Sequence, residues 1–250
     1  MKINIITGGS RGLGRAMALH LAAKGQDSII TYNSSKDAAD EVVKAIAAQG
    51  RKAVALALDV SKPASFDAFA ASVKQALAAT WQRDTFDHLV NNAGIGMYVP
   101  IPDVTEARFD EIMTIHLKAP YFITQKLLPL MQDGGHIINI SSGLTRMTHD
   151  GSSVYAMMKG GIEVFTRYLA KELGPRRITA NTVAPGAIQT DFGGGRVRNS
   201  PDLQKMLTSS TALGRVANAD DIGSLVAAML TSDFGWVNGQ RIEASGGIML

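Results

Sequence analysis

Tyr155 and Lys159 lie four residues apart in a stretch, residues 153–161, that reads as the start of a helix. Side chains at that spacing share one helix face, so the phenol and the ammonium can come into contact. A lysine charge beside a phenol favours the phenolate and is expected to lower the tyrosine pKa from about 10 toward neutrality. Such a pair suits proton transfer to or from an alcohol or a carbonyl. The same spacing is common on ordinary solvated helices, so other segments must agree before it indicates chemistry.

The composition sets broad bounds on the kind of protein. With 250 residues, 46% of them hydrophobic, the chain is in the range of one large α/β domain, although its length would also permit two. A net charge of +3 and scattered basic residues give no support for nucleic-acid or membrane-surface binding. The absence of cysteine excludes disulfides and cysteine-based zinc sites, and we predict no metal site. No apolar stretch reaches the roughly 18 residues of a membrane span, so a cytoplasmic protein is expected.

A glycine-rich segment follows the first apolar run, residues 3–6, and precedes a predicted helix. In a strand–turn–helix unit, Gly8 would permit the tight turn, Gly12 would let the backbone approach a pyrophosphate, and Gly14 would let the helix pack close. The spacing is Gly-x-x-x-Gly-x-Gly rather than the commonest dinucleotide fingerprint, and a turn without a ligand is the alternative. The predicted cofactor contacts in this loop are Gly8, Ser10, Arg11, Gly12, Leu13 and Gly14.

The end of the second predicted strand indicates which dinucleotide is bound. A free ribose 2′-hydroxyl usually meets an acidic residue there, but residues 32–35 contain none. Asn33, Ser34 and the nearby Arg11 instead suit a 2′-phosphate, which favours NADP(H). A plain helix N-cap formed by the serines and Lys36 is the alternative. Asp59 and Val60 end the third predicted strand, where the carboxylate could accept a hydrogen bond from an adenine amino group.

Strands and helices alternate along the chain. We predict strands at residues 3–6, 28–32, 53–58, 86–90, 136–140, 178–183 and 240–244. We predict helices at residues 15–24, 37–49, 63–79, 105–131 (broken by Pro120), 153–173 and 220–230, with a loop at 191–213 that contains a short helix near 201–208. This alternation predicts a single doubly wound Rossmann-type α/β domain, a roughly seven-stranded parallel sheet with helices on both faces. Ligands of such sheets bind at the carboxyl ends of the strands, where every motif named here falls.

Taken together, the motifs resemble the short-chain dehydrogenase/reductase family over essentially the whole chain. The glycine loop resembles the family's cofactor loop, Asp59 its adenine contact, and residues 91–94 its motif after the fourth strand. Ser142, Tyr155 and Lys159 resemble its catalytic trio, and residues 185–190 its nicotinamide-carboxamide segment. The resemblance adds the following cofactor contacts: Asn92, Ala93, Gly94, Tyr155, Lys159, Pro185, Gly186, Ile188 and Thr190.

The resemblance implies roles for these residues. Tyr155 would be the general acid/base, Lys159 would lower its pKa and hold the nicotinamide ribose, and Ser142 would orient the substrate oxygen. Residues 1–92 would mainly bind the cofactor, whereas residues 93–250 would carry catalysis and substrate binding with a lid near 191–213. The family also suggests a homotetramer or homodimer, with the long helix and the Tyr155 helix between subunits.

His116 stands where the family usually has an asparagine. In the family that position holds, largely through its carbonyl, a water that links the lysine to solvent. Pro120 lacks an N–H, so the carbonyl of residue 116 cannot receive its normal helix bond. We therefore expect His116 to keep a proton relay through its backbone, with a neutral imidazole near the Lys159 charge. A buried histidine with no catalytic part is the alternative.

The sequence predicts an NADPH-dependent oxidoreductase that interconverts a small-molecule carbonyl and its alcohol. Residues 95–98, 144–151 and 191–213 should line the substrate side, with Met97, Tyr98, Met147 and His149 making an apolar to mixed pocket. One alternative is 3-oxoacyl-carrier-protein reductase, although residues 132–135 carry no basic docking residue. Another is a non-catalytic NADP-sensing or scaffold protein on the same fold, against which the intact trio speaks.

Overall fold

The computed structural model describes residues 1–231 and 234–250, and its centre is one parallel sheet. The strands are β1 (Ile3–Ile6), β2 (Asp27–Tyr32), β3 (Ala53–Ala57), β4 (Phe86–Asn91), β5 (Met131–Ile140), β6 (Thr179–Pro185) and β7 (Arg241–Ala244). They lie in the order β3-β2-β1-β4-β5-β6-β7, and every pairing is parallel. The order reverses beside β1, which creates a crevice at the carboxyl ends of β1 and β4.

Helices cover both faces of the sheet. They are α1 (Gly12–Ala23), α2 (Lys36–Ala47), α3 (Phe66–Trp81), α4 (Glu106–Met113), α5 (Ala119–Leu127), α6 (Ser153–Glu172), α7 (Phe192–Asn199), α8 (Pro201–Ser209) and α9 (Ala219–Thr231). One buried cluster packs α3, α5 and α6 against one face, and a second packs α1, α2 and α9 against the other. The predicted single doubly wound domain is confirmed.

The apolar runs of the inner strands follow from burial on both faces. Along β2, Ile29 belongs to the first cluster and Ile30 to the second, and along β4 the same division separates Leu89 from Val90. Successive strand residues point to opposite faces, so a strand covered on both sides can be apolar at successive positions, although β1 also buries the polar Asn4. This is why β1 was recognisable from four consecutive residues, all of them buried.

The predicted long helix is three segments rather than one helix broken at Pro120. Between α4 and α5 lies a π-helical turn, Thr114–Lys118, in which the Ala119 N–H bonds to the Thr114 carbonyl five residues earlier. Proline cannot donate the bond that would continue the α-helical ladder, and the wider turn absorbs the gap. His116 therefore lies in a π turn, a detail that the apolar spacing did not reveal.

Other predicted boundaries also shift. Helix α1 begins at Gly12 rather than residue 15, so the last glycines of the loop belong to its first turn. Strand β5 begins at Met131 because Met131 pairs with Phe86 before the register shift that precedes His88. Residues 191–213 contain two helices, α7 and α8, rather than one. No helix in the described ranges is long and apolar enough to cross a membrane.

Candidate active site

A cavity of about 750 Å³ opens at the carboxyl ends of the strands. All four predicted catalytic residues line it, which brings together side chains from the loop after β5, from α6 and from the π turn. The predicted cofactor contacts that line it are Gly8, Ser10, Arg11, Gly12, Leu13, Asn33, Ser34, Asp59, Val60, Asn92, Ala93, Gly94, Tyr155, Lys159, Pro185, Gly186, Ile188 and Thr190. Gly14 is the exception, because it lies behind the loop.

The loop after β1 is shaped by contacts that leave no space for side chains. A Cβ on Gly14 would lie 2.2 Å from the Gly8 carbonyl oxygen, far inside van der Waals contact. Gly8 and Gly12 have φ angles of +68° and +53°, a region that side chains disfavour. Gly14 thus holds the first turn of α1 against the loop, as predicted, although it does not touch the cavity.

The amino end of α1 faces the cavity without a side-chain cap. Arg11 occupies the N-cap position, and its side chain makes no capping hydrogen bond. The first N–H groups of a helix have no partner inside the helix and carry a partial positive charge. An uncapped helix start beside tight glycines fits a pyrophosphate group.

Thr7 and Asn92 tie the loop after β1 to the loop after β4. The Thr7 hydroxyl accepts hydrogen bonds from the N–H groups of Asn92 (2.9 Å) and Ala93 (3.0 Å). The Asn92 amide donates to the carbonyls of Thr7 (2.9 Å) and Gly8 (3.2 Å). Thr7 was not predicted to join these two loops, although a polar residue directly after an apolar strand was an available signal.

The far end of the cavity holds the residues predicted to choose the dinucleotide. Asn33 and Ser34 are exposed, and no ion pair of the described residues involves Arg11. Asp59 accepts hydrogen bonds from the Ser61 hydroxyl (2.6 Å) and N–H (3.0 Å), and the hydroxyl bond is the main reason that its pKa is lowered. The side chains of Arg11, Asn33 and Ser34 are therefore available as hydrogen-bond donors at this end, which suits a phosphate.

Tyr155 is almost fully enclosed, with 8% of its surface exposed. Burial raises the pKa of its phenol, as does the neighbouring Tyr98, whereas a hydrogen bond with the Ser142 side chain lowers it. The Ser142 hydroxyl also accepts from the Leu144 N–H at 3.2 Å, which fixes the start of the loop after β5. The expected lowering of the tyrosine pKa is therefore wrong for the protein as described, because desolvation outweighs the stabilisation of the phenolate.

Lys159 lies one helical turn beyond Tyr155 and is 5% exposed. Its Nζ donates to the Ile140 carbonyl at 2.7 Å and lies 5.6 Å from the centroid of the Tyr155 ring. Burial lowers the pKa of Lys159 to about 7. The ammonium is thus anchored to the end of β5, close to the phenol and able to change charge near neutral pH.

His116 joins the π turn to the loop after β4. Its Nε2 lies 2.8 Å from the Ile95 carbonyl oxygen and 3.2 Å from the Ile95 nitrogen, and its ring packs edge-on against Tyr155 with centroids 5.1 Å apart. Burial, followed by the Lys159 charge, lowers the pKa of His116 well below its usual value. Among the described residues its buried Nδ1 has no hydrogen-bond partner. The imidazole is therefore neutral at pH 7.

Aromatic and thioether side chains form the other wall of the cavity. The Arg196 guanidinium stacks over the Tyr98 ring at 5.0 Å, and the Phe192 ring lies 6.0 Å from that of Tyr155. Met147 and His149 also line the cavity, as predicted. Met97 does not, because it is buried beneath the site against Ile112 and its neighbours. Ile248 and Met249, which no sequence signal indicated, line it as well.

Three consecutive glycines at the start of α7 let its backbone pack against the loop after β4. Gly193, Gly194 and Gly195 have φ angles of +60°, +74° and +72°. A Cβ on Gly96 would lie 2.9 Å from the Gly193 Cα, so the two backbones touch. This contact brings Phe192 and Arg196 over the cavity, whereas Arg198 turns away and pairs with Asp191.

A doubly wound parallel sheet with a ligand cavity at its switch point is the arrangement of dinucleotide-binding domains, among other α/β proteins. A family model described as enoyl-(acyl carrier protein) reductase matches residues 8–249. The chain belongs to the short-chain dehydrogenase/reductase family, and the predicted family and enzyme class, an oxidoreductase, are confirmed.

Curated relatives cover nearly the whole chain. An uncharacterized oxidoreductase of Methylorubrum extorquens is 36% identical over 99% of this chain and 97% of its own length. The tetrahydroxynaphthalene reductase PfmaG of Pestalotiopsis fici is 35% identical over 98% of this chain and 91% of its own.

A solved structure of the angucycline C-6 ketoreductase LanV with bound NADP is also similar, with 36% identity, a TM-score of 0.93, and coverage of 99% of this chain and 95% of that one. The reductase LugOII, described as promiscuous and as reducing a ketone at C1 in lugdunomycin biosynthesis, is 37% identical with a TM-score of 0.94, over 100% of this chain and 98% of that one.

Proposed function

We propose that the protein uses NADPH to reduce a ketone to an alcohol, with Tyr155 as the proton donor. The observation that carries this proposal is the cavity itself. One end offers an uncapped helix start and uncommitted donors, and the other end holds the Ser142, Tyr155 and Lys159 side chains. Both the hydride partner and the proton donor therefore have a place in one enclosed space.

NADP(H) is the cofactor that the residues fit best. The tight backbone around Gly8 and Gly14 and the free amino end of α1 suit a pyrophosphate, and Arg11, Asn33 and Ser34 suit a 2′-phosphate. LanV carries NADP in its solved structure, which supports the same choice here. When bound, the dinucleotide supplies a hydride through its nicotinamide, which we assign to the segment that contains Pro185, Gly186, Ile188 and Thr190.

We assign proton transfer to residues of α6 and of the loop after β5. Because burial raises its pKa, Tyr155 stays protonated through neutral pH and can donate to the forming alkoxide. Ser142 would hold the substrate oxygen beside the phenol, and the Lys159 charge would stabilise the phenolate that remains. The buried location strengthens both effects because little water competes.

His116 is proposed to support Tyr155 and the proton path. Its contact with Ile95 fixes the loop after β4, and its ring fixes one edge of the phenol. If Nε2 carries the proton, it donates to the Ile95 carbonyl. If it does not, it accepts from the Ile95 N–H. The imidazole therefore bonds to only one of these two groups at a time. We retain the backbone of residue 116 as the proposed water site, since Pro120 removes the usual donor to that carbonyl.

The substrate wall favours a flat, hydroxylated aromatic ketone. Tyr98 and Phe192 offer ring faces or edges, Met147 and Met206 adapt to irregular shapes, and Arg196 can meet a phenolate. The relatives named as reductases of tetrahydroxynaphthalene and of angucyclines point to the same class of substrate. We propose that α7 and α8, within residues 191–213, close over this wall as a lid.

The carrier-protein alternative has less support. Arg176 and Arg177, which follow α6, are the basic residues nearest to the turn at residues 132–135. Arg176 is paired with Asp133 and also donates to the carbonyls of Leu128 and Met131, which leaves the exposed Arg177 as the one of these two that could meet an acidic carrier. The sensing alternative does not account for the side chains of Ser142, Tyr155 and Lys159 that line the cavity, because binding a dinucleotide does not require a proton donor. We therefore place ketone reduction ahead of both.

Assembly and location are further parts of the proposal. Tyr121 on α5 and Met157, Val164 and Tyr168 on α6 are exposed apolar side chains, which suits the predicted homotetramer or homodimer. A cytoplasmic location stays a prediction, as does the division into a cofactor half, residues 1–92, and a catalytic half, residues 93–250.

The test is NADPH oxidation measured over a panel of hydroxylated aromatic ketones, simple ketones, quinones and acyl thioesters, with NADH alongside. We expect turnover with aromatic ketones and a preference for NADPH. Faster turnover with NADH would contradict the cofactor assignment. No oxidation of bound NADPH with any member of the panel would favour the sensing alternative.

A further inference from the structure

A third side chain continues the Tyr155–Lys159 face of α6. Glu163 lies four residues beyond Lys159, and its side chain is 15% exposed. Its Oε1 accepts from the hydroxyls of Ser141 (2.7 Å) and Thr145 (2.7 Å). These two residues flank Ser142, so the helix that carries the phenol also holds the loop that carries the serine.

Arg241 of β7 completes the support of that loop. Its Nε donates to Glu163 at 2.8 Å, and its Nη2 donates to the Ser142 carbonyl at 3.3 Å. The Thr145 hydroxyl lies 3.0 Å from the same carbonyl and 2.7 Å from Glu163, so its single proton can be donated to either of them. The main chain of Ser142 is therefore fixed from α6, from β7 and from its own loop.

The ion pairs extend to the end of the chain that lines the cavity. Arg241 bonds to Glu243 at 2.9 Å, and Glu243 bonds to Arg146 at 2.6 Å. Arg146 then donates to the carbonyls of Ile248 (2.8 Å) and Met249 (3.0 Å). The charges alternate along the network, so the partly buried Glu163, Arg241 and Glu243 and the exposed Arg146 each have a partner of opposite sign.

Buried ion pairs contribute little net stability, because desolvation offsets the attraction between the charges. Their directional bonds do restrict geometry, especially where one guanidinium bridges several acceptors. Proton transfer depends strongly on such geometry, and an error of about 1 Å can lower a rate by roughly 100-fold. A network with these bonds is suited to aligning Ser142 with Tyr155.

We infer that Glu163 and Arg241 are positioning residues that set the Ser142 hydroxyl against the Tyr155 phenol. The inference rests on the proposed ketone reduction and adds two residues to its site. Neither residue touches the reacting atoms, and each acts through the loop after β5. Their loss should slow proton transfer while leaving cofactor binding intact.

The first test is Glu163→Gln, which keeps the shape of the side chain and removes its charge. We expect kcat for ketone reduction to fall about 10- to 100-fold, with the Kd for NADPH within about 3-fold of wild type. The solvent deuterium isotope effect on kcat should rise, because proton transfer becomes slower relative to the other steps. Arg241→Lys, which keeps the charge but loses the fork of donors, should give a smaller loss of the same kind.

Two further variants separate positioning from simple structural support. Asp133→Asn breaks the Arg176 ion pair, which is half-exposed and lies near the amino end of β5, away from the cavity at the carboxyl ends, so it should leave kcat unchanged. Thr145→Val removes one hydroxyl between Glu163 and the Ser142 carbonyl and should lower kcat several-fold. If Glu163→Gln does not fold, the kcat of Thr145→Val tests the positioning role instead.

The possible outcomes distinguish this inference from the proposed function. An inactive wild-type protein with bound NADPH contradicts the proposed function. An active wild type whose folded Glu163 or Thr145 variant keeps its kcat and isotope effect overturns the positioning role alone. A parallel loss of kcat and NADPH affinity also overturns it, because that pattern indicates a general loss of structure.

Discussion

The two ends of the cavity are built in different ways. The end assigned to the dinucleotide phosphates is mostly backbone: glycines without room for a Cβ and a helix start without a cap. The end assigned to proton transfer is mostly buried side chains, among them Tyr155 at 8% and Lys159 at 5% exposure. Adding an atom to a glycine should therefore weaken cofactor binding at the first end. Removing a functional group should slow turnover at the second.

This contrast follows from what each end must recognise. A pyrophosphate has many equivalent oxygens, so a ring of N–H groups and a helix dipole are sufficient. Proton transfer needs one donor at a defined place with a suitable pKa, which requires a side chain held by its neighbours.

The largest effect is expected for Tyr155→Phe, which removes the proton donor and keeps the ring. We expect kcat to fall about 1,000-fold, or about 4 kcal/mol of activation free energy. NADPH affinity, measured by fluorescence titration, should stay within a few-fold of wild type. A Tyr155→Phe variant with near-normal turnover would show that another group donates the proton.

Next comes Gly14→Ala, where one added methyl group meets the Gly8 carbonyl at 2.2 Å. The loop and α1 must move apart, so the Kd for NADPH should rise about 100-fold, which is about 2.7 kcal/mol. The melting temperature should also fall. Gly174→Ala is the control, because a Cβ there meets nothing within 4 Å and should leave both quantities unchanged. Unaltered NADPH binding in Gly14→Ala would contradict a backbone-built phosphate site.

A smaller effect is expected for Arg11→Ala, which tests the choice between the two dinucleotides. Loss of one charge-assisted contact should raise the Kd for NADPH about 10-fold, or about 1.4 kcal/mol. The Kd for NADH should hardly change, because it has no 2′-phosphate. Equal losses for both cofactors would show that Arg11 supports the loop rather than the phosphate.

The last expected effect concerns Lys159 and the pH dependence of stability, not of activity or cofactor binding. Its pKa of about 7 in the folded protein lies below the ordinary 10.5, so the unfolded chain binds more protons between these values. The free energy of unfolding should therefore rise as pH increases from 7 to 9. The melting temperature should rise by a few degrees, and Lys159→Met should remove most of that slope. If Lys159→Met keeps the wild-type rise of melting temperature between pH 7 and 9, another titrating group causes that rise.

Much of the fold could be predicted from the chain because its patterns are local. Mostly apolar runs identified the majority of the strands, and the polar or glycine-rich residues after them identified their carboxyl ends. The boundaries of α1 and β5 were less accurate, since the glycines of the first turn and the pairing of Met131 with Phe86 depend on neighbouring strands. The π turn at His116 and the two helices in residues 191–213 also depend on packing.

The sequence by itself determined the family, the order of strands and helices along the chain, and most of the residues that meet at the cavity, because those depend on residue type and spacing. Tertiary structure decided the electrostatics. Burial raises the pKa of Tyr155 where the spacing with Lys159 had suggested the opposite, since desolvation is set by everything around the phenol. It also brought Glu163 within bonding distance of Arg241, 78 residues away, a contact that no local pattern encodes.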